Sequence, residues 1–176
     1  MQRATVADPS RGSVVLENLL GKDYAGLISC DFFGAYRKFE RLTSAELQFC
    51  WTLLIREVKF LAESKDKKVA RYGKRLLKRI QSMFTMIHRK GDLKEKNWQS
   101  RMCSLQQAIL KVAWGTIPQS NDAINIAERL WNWQNEYFRF IDENIPPTNN
   151  LAVQTIRRVV IDRKVSQGTR SDWGNH

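Results

Sequence analysis

No stretch of this sequence stays apolar long enough to span a bilayer, and no secretory leader pattern follows Met1, so the expected location is the cytoplasm and no membrane partner is expected. Cysteine is scarce. Cys30, Cys50 and Cys103 are odd in number and include no Cys-x-x-Cys pair, which argues against a disulfide framework and against a zinc knuckle. All three are expected to pack as small hydrophobes, as buried free thiols. Histidine is scarcer still. His88 lies in Ile87-His88-Arg89-Lys90 among cations and His176 is the last residue, so no Ser–His or Cys–His nucleophile is indicated. Gly21 and Gly34 are isolated, which excludes a glycine-rich phosphate loop. There is no internal repeat and no low-complexity tract.

What is present is apolar bulk and positive charge. Hydrophobic residues make up 43% of the 176 positions, with six Trp and eight Phe, enough for a packed core in one domain. The net charge is +11. It is concentrated between Arg56 and Arg101, where fifteen Lys or Arg stand against five Asp or Glu. A polyanion is the natural partner for such a segment, because cations that neutralise phosphates release condensed counterions. A solvated basic helix face with no partner is the competing reading.

Along the chain the first part reads as α/β. Ala4 to Ala7 is a short extended piece, and Pro9 to Ser13 is a turn in which Ser10 or Ser13 can cap a helix carrying Val14, Val15, Leu16, Leu19 and Leu20. Gly21 is a plausible stop. Ala25 to Cys30 reads as a buried strand ending at Asp31, Phe32 to Phe39 as a short helix, and Leu47 to Trp51 as a second strand. From Leu53 the pattern becomes helical. Val69, Tyr72, Leu76, Ile80, Met83, Phe84 and Ile87 recur every three or four residues as one core-facing stripe, with Met86 also read as core. Lys67, Lys68, Arg71, Lys74, Arg75, Lys78 and Arg79 fall mostly between them and are the candidate DNA-binding set. Further helices are expected over Trp98 to Trp114 and over a stretch marked by Ile124, Ala127, Leu130, Trp131, Tyr137, Phe138 and Ile141. After Pro146-Pro147, Thr148-Asn149-Asn150 can cap a last helix from Leu151 to about Val160.

Asp31 stands where open α/β sheets place their chemistry, at the end of a strand. Carboxylates there suit Mg²⁺ or Mn²⁺, and two such ions can drive phosphoryl transfer. Capping the following helix is the plainer role for it. Asp142, Glu143 and Asp162 are the acids near the closing helix, and nothing in their spacing sets them beside Asp31. They read as surface charges. Arg157, Arg158, Arg163 and Lys164, with Arg170 in Gln167-Gly168-Thr169-Arg170-Ser171, form a second candidate DNA-binding set.

Several of these blocks, in order, resemble the IS66-type DDE transposases. Pro9 to Ser13, Leu19-Leu20-Gly21 and Asp23 to Gly26 resemble the approach to that family's second catalytic Asp. Ser29-Cys30-Asp31-Phe32-Phe33-Gly34-Ala35-Tyr36 resembles the segment carrying it. Gln48 to Arg56 resembles the Cys-Trp-Ala-His-Leu-x-Arg block. Pro146 to Ala152, with Ile156-Arg157, Arg163-Lys164 and Gly168 to Ser171, resembles the block carrying the final Glu. The resemblance implies an α/β fold, mostly α by residue count. It implies one truncated catalytic-core domain over residues 1–176, a partial RNase H-like core with a large helical insertion at about 57–145. It further implies metal-dependent strand cleavage and joining, with Mg²⁺ or Mn²⁺ at Asp31 as catalytic and metal-binding residue. Insertion-element DNA would be the substrate. Because oligomers are common among such enzymes, a second copy of the chain is a candidate partner.

The sequence departs from the family pattern in ways that bear on catalysis. The first catalytic Asp of the family belongs to a strand upstream of those read here, whose loss would leave sheet edges unpaired. Val153 stands where the last block has Glu, and Leu53 where the Cys-Trp-Ala-His block has His. Of three metal-binding carboxylates only Asp31 remains, so the expectation is a transposition protein with a defective active site. The alternative is a basic protein that only binds DNA.

Overall fold

In a computed structural model of the chain, residues 12–143 and 145–148 are described. Of these, 69% are helical. The chain divides into two compact units, Met1–Leu47 with Thr148–His176, and Gln48–Pro147. The extended piece at Ala4 to Ala7, the Ser10 cap, the helix from Leu151, and Arg157, Arg158, Asp162, Arg163, Lys164 and Arg170 lie outside the described residues.

In the first unit, helix α1 spans Ser13–Leu20. Gly12 is its N-cap and no side chain caps it; Ser13, expected as a cap, is instead its first helical residue and is buried. The helix ends where expected, at Gly21, whose φ of 84° is open to glycine and strained for other residues. Strand β1 covers Leu27–Cys30 and is half-buried until Cys30, less enclosed than its apolar sequence suggested. Helix α2 (Gly34–Leu42) starts at Gly34 rather than Phe32 and ends at Leu42 rather than Phe39. Strand β2 covers Glu46–Phe49. The two strands form a small parallel sheet joined through α2. Glu46 N donates to Gly26 O (3.1 Å), starting β2. Thr43 Oγ1 donates to Phe39 O (2.8 Å) and accepts from Ala45 N (3.2 Å), closing the turn after α2.

The second unit is helical: α3 (Trp51–Ala62), α4 (Lys67–His88), a 3-10 turn (Lys90–Asp92), α5 (Glu95–Ala113), α6 (Asn121–Asn132), α7 (Gln134–Phe138) and α8 (Phe140–Glu143). Helix α4 is sandwiched in sequence and in packing between α3 and α5, and α6 packs against all three. The expected stripe is its core face: Val69, Tyr72, Leu76, Ile80 and Met83 are buried, and Phe84, Met86 and Ile87 are half-buried. The Tyr72 hydroxyl donates to Ala113 O (3.0 Å), and burial pushes its pKa up to about 12, so it stays a neutral donor. Arg129 on α6 pairs with Glu57 on α3 at 2.9 Å.

Two expectations shift here. Trp51, read as the end of a strand, is the first residue of α3, and its backbone N–H donates to Pro147 O (3.1 Å). The single helix read across Ile124 to Ile141 is three pieces, α6 to α8. The buried Gln48 amide accepts from Phe140 N (2.9 Å) and donates to Phe49 O (2.9 Å) and Tyr137 O (3.3 Å), while Trp51 Nε1 donates to Tyr137 O (2.6 Å). These side chains bond backbone groups of α7 and α8 that an uninterrupted helix would use internally. Ile124 and Trp131, counted in that stripe, are exposed, and Trp131 meets Trp114 edge-on at 4.2 Å. Among the thiols Cys30 and Cys50 are buried as expected, but Cys103 is exposed because it lies on the polar side of α5.

Candidate nucleic-acid interface

Helix α4 forms because its stripe buries against α3 and α5 and because Asp66 caps it. The Asp66 carboxylate accepts from Lys68 N (2.7 Å) and Val69 N (3.3 Å), satisfying two of the amides that a helix start leaves open. No acidic residue occurs anywhere in its 22 residues. Lys67, Lys68, Arg71, Lys74, Arg75, Lys78 and Arg79 are all exposed, and among the described residues none has an ion-pair partner. At about 100° per residue the seven fall in one arc of about 140°, opposite the buried stripe. They cover about 18 Å of helix.

This arrangement works against the helix itself. Lys67–Arg71, Arg71–Arg75, Lys74–Lys78 and Arg75–Arg79 are like-charge pairs one turn apart, each unfavourable by about 0.3 kcal/mol. Lys67 and Lys68 also sit at the positive end of the helix dipole. A face that weakens its own helix is where a function is to be sought.

Asp31 follows β1, exposed, as the strand reading placed it. It is not the N-cap of α2; Phe33 holds that position with no side-chain cap bond. Asp31 Oδ1 accepts from Phe33 N (3.1 Å), which turns the chain from strand to helix. It borders an open hollow with Val15, Leu16, Phe33 and Tyr36. Burial raises the Tyr36 pKa, with smaller contributions from Cys30 and Asp31, so the phenol is a proton donor at neutral pH. Asp142 and Glu143 are exposed in the other unit, and Glu143 is held by Arg139 at 3.0 Å. Among the described residues no group of three or more His, Cys, Asp or Glu side chains is gathered to hold a metal. Among the described residues the end of β1 offers one carboxylate, fewer than a two-metal centre needs.

Phe60 is an exposed aromatic that no motif in the sequence marks. It lies off the stripe of Leu54, Val58 and Leu61 on α3 and is 67% exposed, one turn after the exposed Arg56. Its departure from that spacing was the available signal.

A family model described as the transposase IS66 family matches residues 3–176. The class is that of the transposases, proteins that act in transposition. The chain belongs to the IS66 family, matched over its length. No curated protein and no solved structure matches it. The function is accordingly transposition-related, with DNA as the family's partner. Among the described residues no helix is long and apolar enough to cross a membrane.

Proposed function

We propose that this transposase-family chain holds insertion-element DNA through the basic face of α4 and does not by itself cleave strands. The observation that carries the reading is that exposed, acid-free arc of seven cations, maintained at a cost to the helix. The β1–α2–β2 unit with Asp31 after its first strand supports a partial RNase H-like core, and the helical unit Gln48–Pro147 supports a large helical insertion within one domain. Catalytic loss is supported by Val153 and Leu53 in the positions where the resembling blocks carry Glu and His. With Asp31 as the carboxylate left, Mg²⁺ or Mn²⁺ would lack the ligands that a two-ion reaction needs.

Binding to a mixed-sequence duplex, followed by fluorescence anisotropy across a salt series, is the direct test. Affinity should fall with a log–log slope between about −4.5 and −6.3, the range set by five to seven neutralised phosphates. Absence of binding at low salt overturns the proposal. Strand cleavage is tested separately, by incubating supercoiled DNA with Mn²⁺ and either the unaltered chain or Asp31→Ala. Neither should nick it. Nicking that disappears in Asp31→Ala would show a working metal site and refute the catalytic loss.

A further inference from the structure

We infer that α4 lies in the major groove of duplex DNA, with Arg71 and Arg75 on guanine edges and the flanking cations on the phosphates of both strands. This rests on the DNA-holding role proposed above and adds the groove, the duplex form and the base.

The order of residue types around the arc carries the inference. At about 100° per residue, Lys67, Lys74 and Lys78 fall along one edge of the exposed face and Lys68 and Arg79 along the other. Arg71 and Arg75 lie between them, one turn apart. With side chains extended to the usual helix radius, the two edges stand roughly 8–10 Å apart. A duplex offers two rows of phosphate separated by a groove. The major groove is about 12 Å wide and admits a helix, whereas the minor groove, at about 6 Å, does not. Contact with a single strand would need one row of cations, not two. The 18 Å occupied by the seven residues is about half a helical turn of B-DNA, so the ladder meets successive phosphates without leaving the groove.

The central pair is the informative one. A lysine is a point charge suited to phosphate, whereas arginine presents a planar fork that matches O6 and N7 of guanine. Arg71 and Arg75 at the centre, with Lys67, Lys74 and Lys78 on one flank and Lys68 and Arg79 on the other, are placed for the groove floor. The same face argues against other nucleic acids. It carries no exposed aromatic ring on which unpaired bases could stack, since Tyr72 is buried and Phe84 lies half-buried off the arc. The A-form major groove of duplex RNA is too narrow to take it.

The test uses the full chain and two short duplexes of identical guanine-rich sequence. One contains deazaguanine, in which carbon replaces the ring nitrogen that faces the major groove. The unaltered protein should bind the deazaguanine duplex about tenfold more weakly, and Arg71→Ala/Arg75→Ala should not distinguish the two. Lys67→Ala/Lys74→Ala should weaken binding to both alike and reduce the salt slope by about 2. All four positions are exposed, so the variants are expected to fold, and circular dichroism verifies it. Equal binding of both duplexes by the unaltered protein overturns the major-groove inference while leaving DNA binding intact. Discrimination that survives the arginine changes overturns it too. Loss of all duplex binding at low salt would instead strike the proposed function, and this inference with it.

Discussion

Gly73→Ala is expected to destabilise the helical unit by about 3 kcal/mol, although alanine is the better helix former by about 1 kcal/mol. Gly73 lies on the buried face of α4 against the end of α3. A β-carbon there would meet Leu61 C at 2.7 Å and Ala62 Cα at 2.8 Å, and would crowd Ala62 N more closely still. These are backbone atoms, so no side chain can rotate aside. The two helices would have to separate, loosening Leu54, Val58 and Leu61 from Leu76 and Ile80. Overpacking of this kind ordinarily costs 1–3 kcal/mol, and a clash with backbone belongs at the upper end of about that range. Thermal unfolding by circular dichroism should show a melting temperature lower by about 10 °C or more. Gly91→Ala is the matched control, since no atom lies within 4 Å of its added β-carbon. If Gly73→Ala melts with or above the unaltered protein, the close approach of α3 and α4 is not a constraint.

Helix α4 was readable from the sequence on both faces because an amphipathic helix writes its period into the chain. A stripe and a basic arc recur every three or four residues: Val69, Tyr72, Leu76, Ile80 and Met83 are buried as read, Phe84, Met86 and Ile87 only half-buried, and the seven cations are exposed. Gly73 was not, because a glycine in a helix carries no hydrophobic or charge signal, and only the neighbouring backbone reveals why it is needed. The end of β1 at Asp31 was equally legible, as an apolar run closed by an acid, and so was the stop at Gly21. Whether Asp31 capped α2 or served chemistry was not. The structure gives it a local turn-forming bond to Phe33 N, which periodicity does not specify.

The misread elements share a long-range cause. Trp51 follows Leu47, Gln48 and Phe49, and β-prone aromatic and apolar neighbours made it look like strand. Its place at the start of α3 coincides with a bond to Pro147 O, far along the chain. The break after α7 coincides with bonds from Gln48 and Trp51 across separations of 86 to 92 residues. A local window cannot contain them. Exposure of Trp131, Ile124 and Cys103 was missed for a related reason. Spacing identifies a helix face, but which of two apolar edges is covered depends on where the other helices lie.

Trp51→Ala is expected to remove about 3–5 kcal/mol, a large fraction of the roughly 5–15 kcal/mol that keeps a domain folded. Trp51 is fully buried and its ring meets Phe138 at 5.1 Å, Tyr137 at 5.4 Å and Phe84 at 6.4 Å, all in tilted or edge-on geometry. Its indole N–H also donates to Tyr137 O, as does Gln48 Nε2 at 3.3 Å. The carbonyl therefore keeps a partner when the indole is removed, and lost packing and the cavity dominate the cost. Trp51→Phe separates the contributions. It retains much of the aromatic contact and loses the 2.6 Å bond, so it should cost about 1–2 kcal/mol. Gln48→Leu addresses the other half of the latch. It leaves Phe140 N without its acceptor and should cost about 1–3 kcal/mol. Because Gln48 and Trp51 share an acceptor, the double change Trp51→Phe/Gln48→Leu should cost more than the sum of the singles, as Tyr137 O then loses both of these bonds. Urea unfolding of the four proteins measures this coupling. Strict additivity would mean that Tyr137 O finds another donor and that the shared acceptor does not fix α7 and α8 to the start of α3.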